Sequence, residues 1–110
     1  MKRTVKYNKL IRDKIPQIIR EAGWMPVVIT LNRKECIEAL KKKILEEAKE
    51  LIRAKGKKEV ADEIIDIQEI LDALVIELGL KKVEIKKWQR AKNKKRGKFR
   101  KRLFLIKEYK

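Results

Sequence analysis

The sequence contains no histidine and a single cysteine, Cys36, among its 110 residues. The chain therefore lacks the residues that zinc sites, disulfide frameworks and Cys-His or Ser-His catalysis require. Any chemistry that this chain performs must come from carboxylates, amines and a bound metal.

Long hydrophobic runs are also missing. No stretch approaches the roughly 18 uncharged apolar residues of a membrane helix, and the opening MKRTVKYNKLIRDK lacks the apolar centre of a signal peptide. We therefore expect a cytoplasmic protein without membrane contact. The length predicts a single domain, residues 1–110, whose small core favours a homodimer or higher homo-oligomer.

Charge is abundant and unevenly placed. Charged residues make up 44% of the chain, against about 25% in an average protein, while asparagine and glutamine number three each. This composition is typical of a thermophile. Of the net +16, residues 81–110 carry +13, whereas residues 44–72 carry −4. An acidic centre therefore lies between basic ends.

The apolar pattern is mainly helical. Pro16 and Gly23 delimit a short helix from Ile15, and Asn32 to Glu35 has the form of a capping box. Apolar residues then recur every three or four positions through Leu51 and, after a turn at Gly56, from Glu59 to Leu78. Because the connection is short, these two helices should form an antiparallel hairpin.

The remaining segments predict one more helix and two short strands. Residues 83–94 favour a helix, while residues 25–31 and 102–106 are rich in β-branched and apolar side chains. The predicted fold is therefore mainly α: a helical hairpin that forms a four-helix bundle core on dimerisation. A small two-stranded β element from residues 25–31 and 102–106 completes it.

Two groups of carboxylates stand on the hairpin, as Glu46-Glu47-x-x-Glu50 and Glu63-x-x-Asp66. Residues three apart share one side of a helix, so each group forms a ledge, and hard cations such as Mg²⁺ take carboxylate oxygens as ligands. Alternatively, these carboxylates belong to solvated helix faces paired with neighbouring Lys and Arg, at a few tenths of a kcal/mol per pair.

The order and spacing of these motifs resemble the MazG-like all-α nucleoside triphosphate pyrophosphohydrolases. Besides Glu-Glu-x-x-Glu followed after 12 residues by Glu-x-x-Asp, the matching stretches are Tyr7 to Pro16, the segment Glu63 to Leu74, and Arg96-Gly97-x-Phe99. The first of these stretches resembles a compact house-cleaning, phosphoribosyl-ATP pyrophosphohydrolase-like branch. Almost the whole chain is covered.

The resemblance implies Mg²⁺-dependent hydrolysis of nucleoside triphosphates to nucleoside monophosphate and pyrophosphate, with clearance of non-canonical nucleotides as the role. Mn²⁺ could replace Mg²⁺. It also implies a group of metal ligands and a further carboxylate, Glu46, that orients or deprotonates water. The implied ligands are Glu47, Glu50, Glu63 and Asp66.

The basic residues allow two interpretations. Lys87, Arg90, Lys94 and Arg96 could reach a triphosphate, although Lys95 and Lys98 depart from the family's usual loop. Alternatively, the +13 segment binds nucleic acid as a module without catalysis, against which its four aromatic residues are few and irregularly spaced. The remaining candidates are Lys9, Arg12 and Lys14, which are either surface charges or nucleotide contacts, and Asp72, a surface charge by default that lies on the matched segment.

Overall fold

The computed structural model describes residues 3–110, which divide into two compact units, one ending at Gly79 and the other spanning Leu80–Lys110. The described residues form four helices: α1 (Ile15–Glu21), α2 (Arg33–Arg53) and α3 (Lys57–Glu77) in the first unit, and α4 (Lys82–Arg96) in the second. None of these helices is both long and apolar enough to cross a membrane. The prediction of one domain stays a prediction.

Helices α2 and α3 pack together as the predicted hairpin. Each has an apolar stripe with helical spacing, so that each can cover the stripe of the other. Arg33 at the start of α2 donates a hydrogen bond from Nε to the carbonyl oxygen of Glu77, the last residue of α3, and this contact shows that the helices are antiparallel. Leu40 and Ile70 are the buried side chains of the described residues, and they form the small core of this unit.

The start of α2 is held by the predicted capping box. Asn32 Oδ1 accepts a hydrogen bond of 2.8 Å from the backbone N–H of Glu35, and Glu35 Oε1 accepts one of 3.0 Å from the backbone N–H of Asn32. These bonds satisfy backbone donors that have no partner within the helix. After α2, Gly56 adopts a φ of +82° as the N-cap of α3, a conformation that glycine tolerates best. Helix α2 itself ends before the glycine, with Ala54 as its C-cap.

A second apolar stripe on α3 remains exposed. It consists of Ile64, Leu71 and, at the C-cap of the helix, Leu78, which are 56%, 42% and 47% exposed, and the half-buried Val75 lies on the same face. On α2, Ile52 is 84% exposed. One copy of the hairpin therefore leaves apolar surface uncovered on both helices.

The second unit contains α4 and a C-terminal segment without helix or strand, residues 97–110, which turns at residues 99–102. Helix α4 begins without a side-chain cap, but its last turn carries Lys94, Lys95 and Arg96, which suit the negative end of the helix dipole. No described residue of α4 is buried. This unit therefore presents most of its side chains to solvent.

The predicted β element is wrong. Residues 25–31 and 102–106 form neither helix nor strand, and the described part of the chain contains no strand. Val27 is 94% exposed and Phe104 is 90% exposed, so these side chains lack the cross-strand and core neighbours that stabilise a pleated segment. Strand-like composition thus produced irregular chain without strand pairing, whereas the prediction of a mainly helical fold is confirmed.

Candidate metal centre

Three carboxylates converge on one side of the hairpin. Glu47 from α2, and Glu63 and Asp66 from α3, each offer an oxygen, and these three oxygens all lie within 4.8 Å of one another. All three residues are half-buried. The cluster contains three of the four ligands that the resemblance implies.

The helix ends determine why these residues meet. Glu47 lies six residues before the end of α2, and Glu63 lies six residues after the start of α3. Because the helices are antiparallel and joined by a short turn, two positions at equal distance from the turn come level with each other. Asp66 is three residues beyond Glu63 and therefore lies on the same side of α3. The hairpin itself builds the cluster.

Glu63 has the most unusual environment of the described carboxylates. Its Oε2 atom is shielded from solvent and has no hydrogen-bond partner among the described residues. The pKa of Glu63 is raised, first by a side-chain hydrogen bond with Glu47, then by desolvation and by the charges of Glu47, Asp66 and Glu50. Like charges held this close to Glu63 favour either a proton or a cation on its carboxyl group.

The donor set fits a hard divalent cation. Mg²⁺ prefers carboxylate oxygens at about 2.1 Å and keeps several waters, so two of its ligands lie at most about 4.2 Å apart. The three oxygens, which lie within 4.8 Å of one another, are close to that spacing. Glu63 Oε2, shielded and without a partner, gains one when a cation binds. Histidine and thiolate ligands, which softer metals favour, do not occur in this group.

The other two glutamates of the α2 motif lie outside the cluster. Glu50 is exposed, with Oε1 3.5 Å from Arg53 Nη1, although its charge is close enough to contribute to the raised pKa of Glu63. Glu46 is exposed as well. Neither residue belongs to the group whose oxygens converge, so Glu50 is at most an outer member of the centre.

An open cleft of about 230 Å³ borders the cluster towards the turn. Pockets that hold a drug-sized ligand measure about 300–1,000 Å³, so this cleft has room for phosphate groups but not for a whole nucleotide. Its lining is largely charged and comprises Glu50, Arg53, Ala54, Glu59, Asp62 and Glu63.

Arg12 from the segment before α1 contacts the cluster directly. Its Nη2 atom donates a hydrogen bond of 2.9 Å to Asp66 Oδ1, and the two groups form an ion pair. Lys9 instead lies over the ring of Tyr7, with Nζ 5.4 Å from the ring centroid. Lys14 is exposed at the N-cap of α1.

Asp72 lies two turns beyond the cluster on α3 and is half-buried. One of its oxygens, Oδ1, accepts a hydrogen bond of 3.0 Å from Gln68 Nε2. It does not belong to the converging group.

The four predicted phosphate contacts all belong to the second unit. Lys87, Arg90 and Lys94 are exposed on α4, and their three- and four-residue spacing places them on one face of the helix. Arg96 falls on a different face, since the helix advances about 100° per residue. The predicted group of four is therefore a group of three with one outlier.

Sequence reasoning missed the pairing of Arg12 with Asp66 and the special position of Glu63. Arg12 and Asp66 are 54 residues apart, and no periodicity connects an extended segment to a distant helix. The equal distances of Glu47 and Glu63 from the turn, by contrast, follow from the sequence once the helix ends are known.

Comparison with known proteins finds no relative of this chain: no protein-family model, curated protein or solved structure matches it.

Proposed function

We propose that this protein is a Mg²⁺-dependent nucleoside triphosphate pyrophosphohydrolase that releases nucleoside monophosphate and pyrophosphate. The convergence of Glu47, Glu63 and Asp66, with their oxygens within 4.8 Å of one another, is the observation that carries this proposal. The resemblance of the sequence motifs to MazG-like enzymes supplies the reaction. Removal of non-canonical nucleotides is the proposed role, and Mn²⁺ is a second suitable metal.

Each residue that we propose to act on the nucleotide has a defined task. Glu47, Glu63 and Asp66 hold the metal, which when bound neutralises phosphate charge and activates water. Glu46 orients the water or accepts its proton. Lys87, Arg90 and Lys94 bind phosphate oxygens of the substrate, because charge-assisted hydrogen bonds to phosphate are among the strong ones. No histidine is needed for any of these tasks.

We propose that the active form is a homodimer or higher homo-oligomer. Apolar side chains of the hairpin remain uncovered: Ile64, Leu71 and Leu78 are 56%, 42% and 47% exposed, and Ile52 is 84% exposed. The face of α3 that carries Ile64 and Leu71, together with the half-buried Val75, is suited to pack on a second copy. The small cleft beside the cluster also needs another surface to enclose a nucleotide.

The test is pyrophosphate release from a panel of nucleoside triphosphates, with and without Mg²⁺. Removal of an outer-shell partner of a metal ligand lowers activity about 10- to 100-fold, so we expect Asp66→Asn and Glu47→Gln, which alter the ligands themselves, to lower the rate of pyrophosphate release about 100-fold or more. Glu50→Gln should lower this rate less, because Glu50 lies outside the converging group.

Glu69→Gln is the matched control, since it removes an exposed carboxylate from α3 outside the cluster. Its activity should equal that of the parent. Absence of pyrophosphate release from the parent, or undiminished release from Asp66→Asn, would overturn the proposed reaction.

A second candidate function is nucleic-acid binding without catalysis, favoured by the surface of α4. Lys82, Lys86, Arg90 and Lys94 are exposed and follow one another at four-residue spacing, which places them within about 120° of the helix surface. A basic stripe of this kind suits a phosphate backbone, whose binding releases counterions.

Titration of a labelled single-stranded oligonucleotide at several salt concentrations separates the two candidates. For a nucleic-acid binder, log affinity falls linearly with log salt, and each neutralised phosphate adds about 0.7 to the slope. Replacing Lys86 and Arg90 with Gln should then flatten the slope by about 1.4. Binding that persists unchanged at high salt excludes this candidate.

A further inference from the structure

The ion pair between Arg12 and Asp66 ties the segment before α1 to the acidic cluster. Arg12 Nη2 lies 2.9 Å from Asp66 Oδ1, and both side chains are about half exposed, at 54% and 45%. The segment around Arg12 has neither helix nor strand. A cation from the chain itself is therefore held beside one of the proposed metal ligands by a contact that solvent can reach.

We propose that Arg12 changes partner when the cluster takes up a metal: its guanidinium leaves Asp66 and binds phosphate oxygens of the incoming substrate. This inference rests on the proposed function, because it needs both a metal at the cluster and a triphosphate beside it. It assigns Arg12 to two successive tasks, first as counterion of Asp66 and then as a phosphate contact.

Competition for Asp66 is the first step. A divalent cation on the cluster and a guanidinium on Asp66 are like charges a few ångströms apart, and they repel each other. The pair that must break is weak, because exposed ion pairs contribute little to stability. The three converging carboxylates offer the metal more negative charge than Asp66 alone offers Arg12. The metal should therefore win the exchange.

The chemistry of arginine supports the second step. Its planar guanidinium presents a fork of donors that matches phosphate oxygens in a bidentate arrangement. Because Arg12 is exposed and lies outside the helices, its side chain can turn from Asp66 to a phosphate beside the cluster without any helix moving. Metal uptake then leaves a phosphate-binding group next to the place where the substrate arrives.

Calorimetric titration with Mn²⁺ in the absence of nucleotide tests the competition. Removing the competitor in Arg12→Gln should tighten Mn²⁺ binding about 2- to 5-fold, the range that an exposed ion pair supports. Lys14→Gln is the matched control, because it removes the same charge two residues away, at the exposed N-cap of α1. The Mn²⁺ affinity of Lys14→Gln should differ from that of the parent by less than the Mn²⁺ affinity of Arg12→Gln does.

Titration with a non-hydrolysable nucleoside triphosphate at saturating Mn²⁺ tests the second task. Arg12→Gln should bind this nucleotide about 10-fold more weakly, at the lower end of what a hydrogen bond to a charged group contributes. A merely structural role for Arg12 predicts weaker binding of both ligands, so opposite changes for metal and nucleotide are diagnostic. Circular dichroism of each variant verifies that the helices are kept.

The outcomes separate this inference from the function beneath it. If the parent binds neither Mn²⁺ nor the nucleotide, the proposed function fails and the exchange fails with it. If the parent binds both, but Arg12→Gln leaves the Mn²⁺ affinity unchanged or lowers it, only the exchange by Arg12 is overturned. The same holds if Arg12→Gln binds the nucleotide as tightly as the parent does.

Discussion

The two units of this chain use charge in opposite ways. In the first, α2 and α3 cover each other's apolar stripes and hold half-buried carboxylates at their border, one of which pairs with Arg12. In the second, the helix and the extended segment leave nearly all cations in solvent. Residues 44–72 carry −4 and residues 81–110 carry +13.

This difference indicates which charges need a functional explanation. Exposed cations lose little solvation and are tolerated on any surface, so their number alone identifies no site. Carboxylates that converge, with one oxygen shielded from solvent, oppose folding unless a proton or a cation joins them. The acidic hairpin is therefore the stronger evidence for function, even though the basic segment is the more conspicuous feature of the sequence.

Truncating core side chains should give the largest contrast between the units. Leu40→Ala and Ile70→Ala remove the two buried side chains of the hairpin, and we expect each to lower the free energy of unfolding by about 2–5 kcal/mol. Leu105→Ala in the second unit alters a side chain that is 77% exposed and should change stability by no more than about 0.5 kcal/mol. Urea denaturation followed by circular dichroism measures all three.

A large loss of stability in Leu105→Ala would contradict the expected difference between the units and would indicate that a second copy covers the C-terminal segment. The concentration dependence of unfolding then decides the matter. Stability that depends on protein concentration indicates association, whereas a large loss at Leu105 without that dependence contradicts the exposed placement of the segment.

Neutralising the face of α4 that carries Lys87 and Arg90 tests whether cations of the second unit contribute to substrate binding. We expect Lys87→Gln and Arg90→Gln, made together, to raise KM for the nucleoside triphosphate about 10-fold while kcat changes little, as expected for uniform binding of ground and transition states. Steady-state kinetics at constant ionic strength provides the measurement.

Lys95→Gln with Arg96→Gln is the matched pair, because it removes the same charge from other faces of α4. If both pairs raise KM equally, long-range attraction accounts for the effect and no specific phosphate contact exists on the predicted face.

The sequence predicted the hairpin well because its evidence is local. The capping box at Asn32, the apolar spacing of α2 and α3, and the short turn at Gly56 are each encoded within a few residues, and they place Glu47 level with Glu63. The strand predictions for residues 25–31 and 102–106 failed because β-branched composition does not supply a pairing partner. The contact of Arg12 with Asp66 depends on how the irregular segment before α1 packs on a distant helix, which no local pattern encodes.

The smallest expected effect concerns the stability of the hairpin itself and its dependence on pH. The pKa of Glu63 is raised above its ordinary value of 4.5, chiefly by the side-chain hydrogen bond with Glu47. The folded state therefore holds this proton more tightly than the unfolded state, and stability is lost as pH rises through the folded pKa. Glu63→Gln removes this loss, so with a chelator present it should melt at a higher temperature than the parent near neutral pH.

The difference between Glu63→Gln and the parent should shrink as pH falls below about 4.5, where the carboxyl is protonated in both folded and unfolded states. Melting curves between about pH 4 and pH 7.5, with Glu69→Gln as the control, follow this change. Saturating Mg²⁺ should then stabilise the parent by mass action but not Glu63→Gln, which has lost a ligand charge. If Glu63→Gln is instead the less stable protein at neutral pH with chelator, the carboxylates do not repel one another, and the case for a cation between them weakens.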